Sequence, residues 1–320
     1  MNILYKYYSS NFNLFEHIKR PSIKLSHTKT FNDPFESSLS GELAENISID
    51  FYKNFIKEEY FKDIKDEVLE KRILESKKHY VESPKSYGVV SLTETHRNIL
   101  MWAHYASSHK GYCVGYKSDF FISDQDEYHT DRLKDYIDLM PQRVKYDSKR
   151  FDSEKYTNDK GNKNIPIVRI IESMTIKSNE WIYEKEHRCI LPFRYAETIK
   201  FITPPTKALQ KSIERHISKG LISKGRNGLE FTVNKILRLG DYYRIDIFLE
   251  RVIKNQYAIA LKTINNNKID SIYFGCESNI DKQRSICNYI EKNKESLGHI
   301  KVYRYKVNPE TFEIDETRIR

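Results

Sequence analysis

The chain reads as one α+β domain, a split and largely antiparallel sheet flanked by helices and carrying a basic helical insertion. Three observations predict this. Strand-like runs such as Met1–Tyr7, Tyr87–Leu92, Tyr112–Tyr116 and Ser271–Gly275 are interspersed with helical stretches in mixed order. The 320 residues are 39% hydrophobic and 31% charged, enough apolar surface for one large core. Pro204-Pro205 marks a boundary, after which residues 201–260 carry 11 Lys+Arg against 5 Asp+Glu, much of the net +9.

Taken in order, Met1–Tyr7 is a first strand, and Ser9-Ser10-Asn11 can cap a helix running to about Lys19. Pro21 ends it, Ile23–Ser26 is a short strand, and Phe31-Asn32-Asp33-Pro34-Phe35-Glu36 is a turn, because Pro34 forces Asp33 out of helix. Phe51, Phe55, Tyr60, Ile64, Val68 and Ile73 recur at helical spacing, predicting an amphipathic helix or helix pair over about 50–81. Thr93 is a candidate cap for a helix over 94–107, with Gly111 just beyond it. A helix over about 165–177 leads into a strand ending at Leu191. The basic insertion, 203–256, reads as helices over 206–221 and 242–256. Strand, helix and strand close the chain at 271–275, 281–294 and 299–307.

No stretch approaches the roughly 20 apolar residues of a membrane helix, so no membrane partner is expected. The N-terminus lacks the charged start and apolar run of a signal peptide. The four cysteines are scattered without a Cys-x-x-Cys pair, which points to a reducing cytoplasm. No glycine-rich phosphate loop occurs, and His96, His104 and His109 lack the spacing that puts two metal ligands on one helix face. No metal site is expected from them.

The richest motif is Trp181-Ile182-Tyr183-Glu184-Lys185-Glu186-His187-Arg188. On an extended backbone Glu184, Glu186 and Arg188 would share one face, their Cα atoms roughly 6.5 Å apart from one to the next. Two carboxylates so placed suit catalysis, one holding a substrate hydroxyl and the other reaching a second reactant. A charged strand edge that discourages pairing is the plainer alternative. Trp181 and Tyr183 offer stacking surfaces or simple packing. Met101, Trp102 and Tyr105 form a core face, with His104 pointing off it.

These motifs carry a resemblance. Leu4-Tyr5-Lys6-Tyr7, the Phe31–Glu36 turn, Met101–Tyr105 with His109-Lys110-Gly111, and Trp181–Arg188 resemble the pattern of a bacterial family, domain of unknown function 2971, as does Ile272–Gly275. The family name implies no activity. A more distant resemblance, in the order of elements, is to the ADP-ribosyltransferase fold, whose split sheet grips NAD. It implies NAD as a substrate, met by Tyr5, Lys6, Tyr7, Ser26, Asn32, Asp33, His104 and Tyr105. Lys6 or Tyr7 would take the first-strand role and Ser26 the second. Glu186 would bind the ribose hydroxyl and stabilise the oxocarbenium-like transition state, with Glu184 orienting or deprotonating the acceptor. The acceptor would be RNA, DNA or protein. The activity would suit a toxin in antiphage defence or a toxin–antitoxin pair, with an antitoxin protein as partner.

Two other readings stand beside it. One is a non-enzymatic nucleic-acid-binding module using Lys207, Lys211, Arg215 and Lys219 with Trp181 and Tyr183. The other is a nuclease using Asp33, Glu36, Glu184 and Glu186 around magnesium.

Overall fold

The computed structural model describes residues 2–55, 66–122, 137–151, 166–225, 228–234, 239–254 and 258–320. Tyr60 and Ile64 of the amphipathic pattern, and most of the polar stretch 124–164, lie outside the described residues. The first part of the chain forms β1 (Ile3–Tyr8), α1 (Leu14–Lys19), β2 (Ser22–His27), α2 (Gly41–Phe55), α3 (Asp66–Val81), β3 (Tyr87–Thr93), α4 (Ile99–Tyr105) and β4 (Tyr112–Lys117). The middle forms β5 (Gln142–Arg143), β6 (Lys145–Asp147), α5 (Pro166–Ser173), β7 (Ile176–Ser178), β8 (Glu186–Pro192), β9 (Thr198–Phe201), α6 (Lys207–Ser218), β10 (Ile222–Lys224), β11 (Glu230–Val233) and α7 (Leu239–Lys254). The end forms β12 (Ala258–Thr263), β13 (Ile269–Phe274), α8 (Ile280–Lys292), α9 (Lys294–Leu297), β14 (Lys301–Val307) and β15 (Ile314–Arg318).

The architecture is mixed α and β around a largely antiparallel open sheet. Its strand order is β10-β11-β9-β12-β2-β3-β1-β4-β13-β14-β15, with β8 branching from β3 and β5 pairing with β8. Among the described residues only β13–β14 is parallel within it, and α8 and α9 supply the crossover that a parallel pair needs. A separate parallel pair joins β6 to β7. The segment read as a basic helical insertion holds α6 and α7 as expected, but β10 and β11 lie between them and extend the main sheet through β9. Their runs are three and four residues long, too short for alternation to separate them from loop.

Helix starts follow side-chain caps. Asn13, not Ser9–Asn11, caps α1 by accepting from the Glu16 N–H. Asn98, not Thr93, caps α4 by accepting from the Leu100 and Met101 N–H groups at 2.9 and 3.2 Å, because Thr93 is spent in strand β3.

Most buried side chains form one core, including Ile18, Ile23, Leu25, Val90, Phe193, Leu249 and Phe274. A smaller aromatic cluster gathers Tyr7, Trp102, Tyr273 and Tyr305. After α4 the backbone turns left-handed at Ser107, Ser108 and His109, with φ of 49°, 50° and 67°. Non-glycine residues reach this region at a cost, so such a run needs outside support. Gly275 supplies it: its N–H donates to the Gly111 carbonyl and the Glu277 N–H to the His109 carbonyl. A Cβ at Gly275 would lie 2.0 Å from the His109 carbonyl oxygen. Gly275→Ala is therefore expected to lower stability by at least about 1–3 kcal/mol, measured as a shifted denaturant midpoint with unchanged slope.

Candidate functional site

Two places in the fold gather polar groups. The first is a buried ionic cluster. Asp33 Oδ1 accepts from the Phe35 N–H at 2.9 Å, fixing the turn that its Asn-Asp-Pro chemistry predicts. Asn32 donates to the Tyr105 hydroxyl at 3.0 Å, and that hydroxyl donates to Glu184 Oε1 at 2.5 Å. Lys177 Nζ donates to Glu184 at 2.7 Å and Glu186 at 3.3 Å, and lies 3.8 Å from Glu36. Arg188 grips Glu186 through Nε at 2.7 Å and Nη2 at 2.8 Å, reaches Glu36 through Nη2, and caps the Met174 carbonyl. Three of the four islands thus meet in one hydrogen-bonded chain.

The expected strand face is corrected here. Residues 179–184 form a 3-10 turn and Lys185 is left-handed with φ of 45°, so only Glu186 and Arg188 share a β8 face. Glu184 arrives from the turn, yet Lys177 draws it beside Glu186. The turn is pinned because Asn98, the α4 cap, also donates to the Tyr183 carbonyl.

The electrostatics are those of a sealed site. Glu186 is 3% exposed and Glu184 4%. Burial pushes the Glu186 carboxyl up, but the Arg188 and Lys177 charges overcome it and hold the group down at about 2. Burial and the Glu184 carboxylate push the Tyr105 phenol well above its ordinary value, keeping it a donor. Glu36 is raised: burial outweighs Arg188, and the Glu186 charge adds to the rise. Neither Glu184 nor Glu186 lines either of the two main cavities. Lys177 and Arg188 occupy the space between the carboxylates where a magnesium ion would sit in a nuclease.

The second place is an open cleft of about 1680 Å³ over the polar face of the sheet. Register sets that face: Lys24 pairs with Leu261 and Leu261 with Thr198, while Ile259 pairs with Lys200 and Lys200 with Glu230. The alternate residues Ile23, Leu25, Ile199 and Ala260 are buried in the core. Lys6, Arg20, Lys24, Lys200, Lys262 and Lys268 line the cleft against Glu16, Glu197 and Glu230. Lys200 pairs with Glu230, Lys262 with Glu197 and Lys268 with Asp119. Lys6, Arg20 and Lys24 have no carboxylate within ion-pair distance among the described residues. Burial and the neighbouring Lys24 charge lower the Lys6 ammonium to about 8, the Glu186 charge opposing the shift, and burial lowers Lys24 as well. Lys6 Nζ donates to the Ser91 carbonyl at 2.9 Å.

Of the residues singled out in the sequence, Lys6 and Ser26 line the cleft. Tyr7 lies in the aromatic cluster, with Tyr5 packed against it. Asp33 lines a smaller cavity beside the ionic cluster. His104 is exposed near Tyr183, and Trp181 carries the Lys177 ammonium 4.7 Å from its ring centre. Lys207, Lys211, Arg215 and Lys219 are exposed at four-residue spacing along α6 and its cap, apart from the cleft lining. Sequence reasoning missed Lys177, Arg20, Lys24 and Lys200. Lys24 had a signal, the polar alternation Ser22-x-Lys24-x-Ser26; Lys177 had none.

Among the described residues no helix is long and apolar enough to cross a membrane. Residues 101–189 match the model of the family described as protein of unknown function (DUF2971). That span holds Tyr105, Lys177, Glu184, Glu186 and Arg188, so the family resemblance of the third and fourth islands is borne out there. No curated protein and no solved structure matches the chain.

Arg188→Met leaves two buried carboxylates uncompensated and is expected to cost about 3–5 kcal/mol, with Glu186→Gln in the same chain restoring part of the denaturation midpoint. Because the folded Glu186 value lies below its ordinary 4.5, its contribution is complete above pH 4.5 and fades as pH falls towards 2. Acid unfolding over that window should be shallower in Glu186→Gln.

Proposed function

We propose that the chain binds single-stranded nucleic acid along the open basic cleft. The observation that carries this is the group Lys6, Arg20 and Lys24, which line one cleft without a carboxylate at ion-pair distance among the described residues. Charges of one sign held together in a partly desolvated groove repel, and a phosphate backbone relieves that repulsion while releasing counterions. The Tyr8 and Phe12 rings, stacked at 4.0 Å on the cleft wall, give bases an aromatic neighbour.

A second reading, ADP-ribosyl transfer from NAD, is favoured by one observation. Lys6 and Ser26, two of the eight positions which the resemblance assigns to NAD, line this same cleft, and the Glu186 charge acts on Lys6. In that reading the bond between ribose C1′ and nicotinamide breaks, nicotinamide leaves, and the ionised Glu186 stabilises the oxocarbenium ion before the acceptor attacks C1′. Glu186 would first have to exchange an Arg188 or Lys177 hydrogen bond for the ribose hydroxyl. A toxin role, and an antitoxin partner, would follow from this reading alone.

The test is fluorescence anisotropy with labelled single-stranded RNA and DNA across salt. Three phosphate contacts predict a log–log salt slope near −2, roughly a 15- to 20-fold loss between 50 and 200 mM salt. Arg20→Ala with Lys24→Ala should flatten the slope. Binding should weaken as pH rises through about 8, where Lys6 loses its proton, and Lys6→Met should remove that dependence. If only replacing Lys207, Lys211, Arg215 and Lys219 abolishes binding, the α6 stripe is the interface and the cleft reading is wrong. Nicotinamide release lost in Glu186→Gln would establish the second reading.

A further inference from the structure

Beside the ionic cluster lies a cavity of about 250 Å³. Thr28, Asp33, Glu36, Arg150, Lys177 and Arg188 supply its polar lining. Leu43, Val89, Met174 and Ile176 supply an apolar wall on which an aliphatic chain can lie. It is separate from the cleft; the two share no lining residue.

Two independent features mark this cavity as a binding site. First, the cluster does not balance. Among the described residues Glu36, Glu184 and Glu186 are within ion-pair distance of Lys177 and Arg188 alone, Lys6 acting on Glu186 from further off, and all five side chains are between 3% and 6% exposed. One buried negative charge is left over, which is costly without a counter-charge. It falls on Glu36, the member whose carboxyl burial raises and the one that reaches the cavity. Second, Thr28 is 2% exposed and its hydroxyl has no hydrogen-bond partner, although it lines the same space. Buried hydroxyls are nearly always paired, so an orphan at a cavity wall points to a group that enters there.

The cations of the lining do not answer the excess. Lys177 and Arg188 are already counted. Arg150 donates to the Phe35 and Ser38 carbonyl oxygens with its guanidinium over the Phe35 ring, and its charge is set against the Asp33 carboxylate. Lys149 and Asp147 add one charge of each sign. Among the described residues no set of three or more His, Cys, Asp or Glu side chains is placed to hold a metal ion. The missing partner is therefore a donor-rich organic group.

We propose that this cavity binds a small aliphatic amine, its ammonium group held by the Glu36 carboxylate with Asp33 and the Thr28 hydroxyl as further acceptors, and its carbon chain against Leu43, Val89 and Ile176. An ammonium group brings the one positive charge which the cluster lacks and the donors that Thr28 and Asp33 can accept. The site is independent of the cleft and of what binds there.

The experiment is calorimetric titration of the full chain at pH 7 with 1,4-diaminobutane and with butylamine, beside 1,4-butanediol as the uncharged analogue. The amines should bind and raise the melting temperature; the diol should do neither. Glu36→Gln should weaken amine binding at least tenfold. Thr28→Val, which leaves the ionic cluster intact, should weaken it several-fold without lowering the melting temperature of the free protein. Lowering the pH should weaken binding as Glu36 takes up a proton. Absence of amine binding at pH 7 would overturn the proposal, leaving a proton on Glu36 as the balancing charge. Equal binding of amine and diol would overturn it too, as would amine binding indifferent to both Glu36→Gln and Thr28→Val.

Discussion

The grip of Arg188 on Glu186 is the interaction on which the centre of this fold depends. An ion pair this deeply buried gains little net stability, because desolvating both charges nearly cancels their attraction. Its effect is conditional: once one member is buried, every other must stay. Arg188 holds β8 to the 31–36 turn through Glu36 and to the end of α5 through the Met174 carbonyl. Lys177 brings in the 3-10 turn through Glu184. Strand, turn and helix end are therefore placed by one set of charges, and none can shift without stranding a carboxylate.

That constraint bears on what the two glutamates can do. A carboxylate that must touch a substrate needs an oxygen open to it. Glu184 and Glu186 spend theirs on Tyr105, Lys177 and Arg188. The polar face of the β9–β12–β2 arm has the opposite character. The open groove over it holds Lys6, Arg20 and Lys24, which have no carboxylate at ion-pair distance among the described residues, and its rigidity comes from the apolar residues on the reverse face of the same strands. A site that recruits an anion needs uncompensated positive charge on a stiff support, and that face supplies both.

Much of this was legible in the sequence, and the gaps have physical causes. The Asn32-Asp33-Pro34 turn, the core face of Met101 and Trp102, and strands β1, β3, β4 and β13 follow from local chemistry and periodicity. The α-helices over 207–218 and 239–254 do as well. The Glu184–Glu186 pairing was foreseen, but by the wrong geometry: alternation along a strand cannot reveal that Lys185 turns left-handed and that Lys177, nine residues upstream of Glu186, joins the two carboxylates. Strands β9, β12 and β15 were not expected, because Thr198–Phe201 is too short and Ala258–Thr263 and Ile314–Arg318 lie beside helical or charged runs that mask a period of two. The cleft itself needs five strands from both ends of the chain, so no local window could contain it.

The family-matched span sharpens how the islands should be understood. Tyr105, Lys177, Glu184, Glu186 and Arg188 lie inside it, whereas Asn32 and Glu36, which complete the same network, lie outside. The network is thus the seam along which the matched segment is fastened to the N-terminal part of the sheet. A buried seam of charges accounts for a motif rich in Glu, Lys and Arg without any of them meeting a substrate. It also explains why the motif adjoins two cavities of different character. The leftover charge at Glu36 faces the small one, and on the far side of β3 the Glu186 field reaches Lys6 at the wall of the large one.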